Sequence, residues 1–161
     1  MIEIVKPEIV LDAHSDILLD VLALRRRGKS AVLEERFLPQ LRAAGINAVV
    51  CSIFIPDEYV PELALRNALD QIAALGEDLA ESPSFRLCRS VGGCYSAVAE
   101  GKTALFLSLE GAEPLGRDIL LLDNFLLARR ASARALRGRG EITPATAFPS
   151  KPRRRARARA G

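Results

Sequence analysis

His14 is the only histidine in a chain of 161 residues, and Asp16 follows it two positions on in the run Ile9-Val10-Leu11-Asp12-Ala13-His14-Ser15-Asp16. That run reads as an apolar strand ending in polar residues. In an extended chain alternate side chains share a face, so this imidazole and this carboxylate can grip one divalent cation. Glu110 is a third donor, placed where a second apolar run, Ala104 to Leu109, comes to its end. A carboxylate offers two oxygens and an imidazole one donor, so Glu110 could share that cation or bridge two. With no second histidine, any site that needs several imidazoles is incomplete within these residues.

Each of these residues also has a simpler reading. An isolated His-x-Asp is often a structural pair in which the imidazole merely hydrogen-bonds. Asp12 shares the parity of His14, and reads either as a carboxylate orienting a ligand or as a cap on local amides. Glu113 reads as a solvated loop acid, and Arg25-Arg26-Arg27 as a helix-end cluster facing water. The three cysteines, Cys51, Cys88 and Cys94, lack the two-residue spacing of a zinc knuckle or redox pair and read as reduced thiols. Cys51, inside Ala48-Val49-Val50-Cys51, reads as a small core residue.

The elements that must position the site alternate. Ile9 to Asp12 reads as a strand, Ile17 to Arg27 as a helix stopped by Gly28, and Glu35 to Ala44 as a helix closed by Gly45. Ile46 to Ile55 is a nearly unbroken apolar run, suited to a strand buried on both faces and ended by Pro56. The segment Pro61 to Leu79 predicts the best helix, with Leu65, Leu69, Ile72, Leu75 and Leu79 on one stripe and a polar face opposite. A short strand near Arg86 to Arg89, a helix near Tyr95 to Glu100, the strand Ala104 to Leu109 and a helix from Asp118 to Ala128 complete the pattern. Strand–helix alternation is the signature of a parallel sheet with crossover connections, so the class is α/β. Functional residues in such sheets gather at the carboxyl ends of strands, where His14, Asp16 and Glu110 all fall.

Composition divides the chain near residue 128. Residues 129–161 hold ten Arg, Lys151 and one acid, Glu141, a net +10. Removing them from the whole leaves 12 basic and 19 acidic side chains, a net −7, so the overall +3 describes neither part. An apolar fraction of 49% befits a globular core, and residues 1–128 could form one domain. The amino terminus, Met1 to Pro7, carries acids, an early proline and no long apolar stretch, so neither a signal peptide nor a membrane span is expected, and a cytoplasmic location is the default. The Arg/Ala-rich tail offers no apolar face to bury and reads as disordered. Its charge suits at most nonspecific binding to nucleic acid or acidic surfaces, because Phe148 is its only aromatic and no nucleic-acid motif is present.

Asp12-Ala13-His14-Ser15-Asp16, the Gly45-Ile46 entry to a strand ending Ser52-Ile53-Phe54, and Gly101-Lys102-Thr103-Ala104 leading to Ser108-Leu109-Glu110-Gly111-Ala112 together resemble the membrane (renal-type) dipeptidase family of metallopeptidases. The resemblance covers about residues 8–128. It implies the first three to four βα units of a (β/α)8 TIM barrel, a pair of zinc ions as cofactor, and hydrolysis of dipeptides, with some members accepting a D-residue at the carboxyl side. It further implies His14 and Asp16 as ligands of one zinc, and Glu110 as the carboxylate bridging both. Two cations acidify a water and polarise the scissile carbonyl, so no side-chain nucleophile is needed. The family's second zinc is held by two later histidines, which this chain lacks. At most one zinc is therefore expected here, and the chain alone is expected to be inactive. A homo-oligomer is compatible with the resemblance.

Low-complexity Arg and Ala are also what GC-rich coding DNA yields when read out of frame. Codons for Ala131-Ser132-Ala133 permit Gly-Val-Arg in another phase, and those for Ile142 to Phe148 permit Asn-Tyr-Ala-x-Asp-Gly-Val, both similar to later stretches of the family. A frameshift near residue 128 is therefore expected. Sequencing the DNA downstream of codon 128 should reveal a continued dipeptidase frame in a second phase, and its absence there contradicts the frameshift.

Overall fold

A computed structural model of the chain describes residues 7–128, and the basic tail 129–161, with its expected disorder, lies outside the described residues. Four strands, β1 (Leu11–Ser15), β2 (Ala48–Ile53), β3 (Phe85–Leu87) and β4 (Thr103–Leu109), form one sheet in the order β1-β2-β4-β3 with all pairings parallel. Helices α1 (Ile17–Arg26), α2 (Leu38–Ala43), α3 (Ala64–Glu81), α4 (Val91–Ala99) and α5 (Leu121–Ala128) fill the connections. A sheet laid down in simple succession would set β3 between β2 and β4. Instead β3 spans three residues and pairs only with Thr103 to Leu105, so it is an outer appendage and β1, β2 and β4 end side by side.

Residues alternate across β2 as a doubly covered strand requires. Val49, Cys51 and Ile53 join α1 and α3 in the main core, with Leu18, Val21, Leu75 and Leu105. Ala48 faces the other way and joins Ala104, Cys88, Cys94 and Ala97 of α4 in a smaller cluster. The expected core place of Cys51 is thus realised, with no exposed surface.

The connections follow from local sequence. Gly28 and Gly45 adopt φ of +78° and +69°, the left-handed conformation that ends a helix cheaply only at glycine. The expected helix over 35–44 is a π-helical turn, Leu33–Phe37, running into α2. Helix α3 begins three residues after Pro61, and of the expected stripe Leu75 is buried and Ile72 and Leu79 pack against the core, but the buried face is wider than that stripe. Ala64, Ala68, Gln71, Leu75 and Asp78 point inward, while Leu69 is 50% exposed. Gln71 and Asp78 can lie on that face because their side chains satisfy backbone groups there. Gln71 Nε2 donates to the Phe54 carbonyl at 2.6 Å and to Asn67 Oδ1 at 2.7 Å.

Asp78 is fully buried. Its carboxylate accepts the Val32 and Leu33 backbone N–H groups, both at 2.8 Å, together with Arg25 Nη1 at 3.0 Å and Ser82 Oγ at 3.3 Å. Four donors are what an ionised carboxylate needs to lie out of water. Glu81 Oε2 accepts the N–H of Ala31, whose φ of +48° is unusual for a residue with a Cβ, and also receives Arg25 Nη1 at 2.7 Å. Arg25 and Arg26 therefore do not face water as a free cluster. Arg25 binds Asp78, Glu77 and Glu81, and Arg26 binds Asp70 at 2.8 Å, clamping α1 to α3.

Asp78→Ala should lower the unfolding free energy by about 3 kcal/mol or more, since it leaves the buried amides of Val32 and Leu33 and the Ser82 hydroxyl without their acceptor, and urea unfolding followed by circular dichroism measures this. The Arg25 guanidinium holds the Glu81 carboxyl below its usual range. That stabilisation is complete above the unfolded value of about 4.3 and is lost as pH falls through the lower folded value. The thermal midpoint should accordingly fall between about pH 5 and pH 3, and Glu81→Gln should flatten that fall.

Candidate metal centre

The three long strands bring His14, Ser52, Ser108 and Glu110 to one rim. Register between β2 and β4 is unbroken from Ala48↔Ala104 to Ile53↔Leu109, which sets Ser52 directly beside Ser108. Glu110 extends that ladder by one bond, from its N–H to the Ile53 carbonyl at 3.1 Å. Register between β1 and β2 slips. Asp12 pairs with Val49 but Ser15 pairs with Cys51, so three steps on β1 match two on β2. Such a bulge re-aims the side chain inside it, here His14.

Asp16 lies beyond the strand, so strand alternation is not what brings it beside His14. It occupies the N-cap of α1 with φ −88° and ψ 23°, yet its side chain makes no capping bond. An aspartate at an N-cap ordinarily accepts an N–H of the first turn, a bond worth about 1 kcal/mol. Here Asp16 Oδ1 lies 3.5 Å from His14 Nε2 instead, and Glu110 Oε2 lies 3.2 Å from the same nitrogen. Asp12 takes the capping alternative, accepting the His14 backbone N–H at 3.2 Å.

One ligand atom from each of His14, Asp16 and Glu110 can be chosen so that all three lie within 4.8 Å of one another. Glu110 supplies a sharper observation. Its side chain as a whole is 39% exposed, but Oε2 is out of contact with solvent and accepts no hydrogen bond among the described residues. A buried carboxylate oxygen without a donor is costly, and a cation beside it would remove that cost. The donor set fits a divalent cation, with one imidazole and two carboxylates and each type a recognised zinc ligand. Thiolate ligation is disfavoured. Burial and the charge of Asp12 push the Cys51 thiol up to about 12, and burial also raises Cys88 and Cys94.

Gly111 turns the chain directly after Glu110 at φ +83°, and a Cβ there would meet the Glu113 carboxylate at 2.0 Å. Glu113 is itself exposed and stands outside the three-residue group, as its reading as a loop acid anticipates. Ser52 and Ser108 were given no role from sequence. In the sequence they stand only as polar members of two stretches that carry the family resemblance.

The sequence profile of the membrane dipeptidase family, peptidase family M19, matches residues 1–137. The chain belongs to that family. Among solved structures it is similar to dipeptidase AC, a metallopeptidase of family M19, with 25% identity and a TM-score of 0.63 over 74% of this chain and 40% of that one. It is also similar in fold to a metallopeptidase from Rhodobacter sphaeroides liganded with a phosphinate mimic of the dipeptide L-Ala-D-Ala, with 22% identity and a TM-score of 0.63 over 74% of this chain and 42% of that one. The chain thus spans about two fifths of the length of the structures it matches. No protein of curated function matches the sequence significantly. The four-stranded parallel sheet corresponds to part of the dipeptidase barrel. Among the described residues, no helix is long and apolar enough to cross a membrane.

Proposed function

We propose that this chain carries the zinc-binding first half of a dipeptidase centre, built on the first βα units of a TIM barrel. The reading is supported most directly by the convergence of His14, Asp16 and Glu110 around a carboxylate oxygen that is 3.2 Å from His14 Nε2 and accepts no hydrogen bond among the described residues. His14 Nε2 and Asp16 would hold one cation, and Glu110, with two oxygens, would hold the same ion while reaching toward a second. A divalent cation bound there supplies Lewis acidity, lowering the pKa of a water and polarising a peptide carbonyl. The chain's own contribution is geometric. Bulged β1 aims the imidazole, the uncapped Asp16 turns back from α1, and the β2–β4 ladder fixes the height of Glu110.

Dipeptides are the proposed substrate class, on the strength of family membership. These 161 residues hold no imidazole besides His14, so a second cation would lack the two later histidines of the family pattern. Zinc titration of the full chain should show one weak site, lost in His14→Ala and in Glu110→Gln, with no efficient dipeptide turnover. Efficient turnover by this chain alone would contradict the half-site reading, and undiminished zinc binding by both variants would refute the ligand assignment.

A further inference from the structure

Among the described residues β1 pairs with β2 alone, and burial does little to fix its phase. Val10 and Leu11 are 41% and 49% exposed, and only two register pairs, Leu11↔Ala48 and Asp12↔Val49, precede the bulge that carries His14. A strand so little buried is weakly specified in register. Asn47, the residue before β2, supplies what burial does not. Its Oδ1 accepts the Val10 N–H at 2.9 Å, and its Nδ2 donates to the Glu8 carbonyl at 2.8 Å. Both partners are main-chain groups, one able only to donate and the other only to accept, so the orientation of the amide is determined. A donor and an acceptor that engage the groups on either side of one residue, here Ile9, make the pattern of a parallel neighbour. The side chain thus stands in for a peptide group and extends the β1–β2 ladder by one step. The main chain of Asn47 adds to this. Its N–H reaches the Val10 carbonyl at 3.1 Å, and its own carbonyl accepts the Ala104 N–H at 2.9 Å, ahead of the β2–β4 pairing.

We propose that Asn47 is a positioning residue that pins the register of β1 against the β2–β4 pair, and thereby sets where His14 meets Glu110. A slip of one residue would carry His14 about 3.3 Å along the strand direction and turn it to the other face. The pin is a property of the chain itself. Only the use of His14 as a cation ligand rests on the metal reading above.

Nuclear magnetic resonance of the full chain, first without metal and then with zinc alone, compares the wild type with Asn47→Ala and Asn47→Asp. The aspartate keeps the size and the acceptor but sets an oxygen against the Glu8 carbonyl in place of the donor. In the wild type the Asn47 side-chain amide protons should show Overhauser contacts with Ile9 and Val10. Both variants should keep the wild-type circular dichroism and the contacts between β2 and β4, but lose those between Leu11 and Ala48. Their Val10 amide should exchange about tenfold faster, and zinc should bind about tenfold more weakly. A side chain that merely fills space predicts native β1 contacts in Asn47→Asp, and that result overturns the proposal. Wild-type zinc affinity in variants whose β1 contacts are lost overturns it too. So does a wild-type Asn47 amide without contacts to Ile9 and Val10, a measurement that stands where neither variant folds. If zinc fails to bind the wild type while the variants still lose the β1 contacts, the metal reading falls and the pin stands.

Discussion

The unbroken parallel register between β2 and β4 is the constraint on which the rest depends. Six consecutive pairs, from Ala48↔Ala104 to Ile53↔Leu109, fix the relative height of the two strands. A slip of one residue would turn every side chain to the opposite face. A slip of β2 would turn Ser52 to the α1/α3 core and Cys51 to the rim, and a slip of β4 would do the same to Ser108 and Leu107. The apolar helix-facing residues Val49, Cys51, Ile53 and Leu105 forbid this, because exposing them would forfeit their burial. The hydrophobic pattern of the core thereby sets the geometry of a polar site that shares none of its residues. Against this fixed pair β1 is the adjustable member, and its bulge swings His14 toward Glu110.

A second layer of order holds the helices against the sheet. Acids in that layer are consumed by arginine or by backbone amides. Asp78 and Glu81 meet Arg25, Asp70 meets Arg26 and Arg66, Asp20 meets Arg36, and Glu100 meets Arg86. The acids at the rim behave differently. Asp16 forgoes its helix cap, Glu110 Oε2 accepts no hydrogen bond among the described residues, and both carboxylates turn toward His14. Among the described residues the fold thus separates carboxylates that hold structure together from carboxylates kept available at strand ends.

Much of this was legible in the sequence. Long apolar runs gave β2 and β4, glycines marked the helix ends, and strand-end positions singled out His14, Asp16 and Glu110. What escaped the sequence were arrangements that depend on partners far along the chain. The bulge in β1 exists only in register with β2, so parity along an isolated strand misattributed the pairing of His14 with Asp16. The order β1-β2-β4-β3, with β3 pairing only with Thr103 to Leu105, depends on partners that the local sequence does not name. On α3, periodicity favoured leucines, but Gln71 and Asp78 are buried because their receivers, the Phe54 carbonyl and the amides of Val32 and Leu33, are brought over them by other segments. Arg25 looked solvated for the same reason, since its partners lie 52 to 56 residues away.

The central claim is that one cation is held by a single imidazole and by carboxylate oxygens, with cysteine sulfur taking no part. X-ray absorption at the zinc edge of the zinc-loaded full chain tests this directly. The account predicts a light-atom shell containing one imidazole, with no sulfur scattering and with loss of the imidazole signal in His14→Ala. A sulfur shell, or an imidazole signal that survives that substitution, would contradict it.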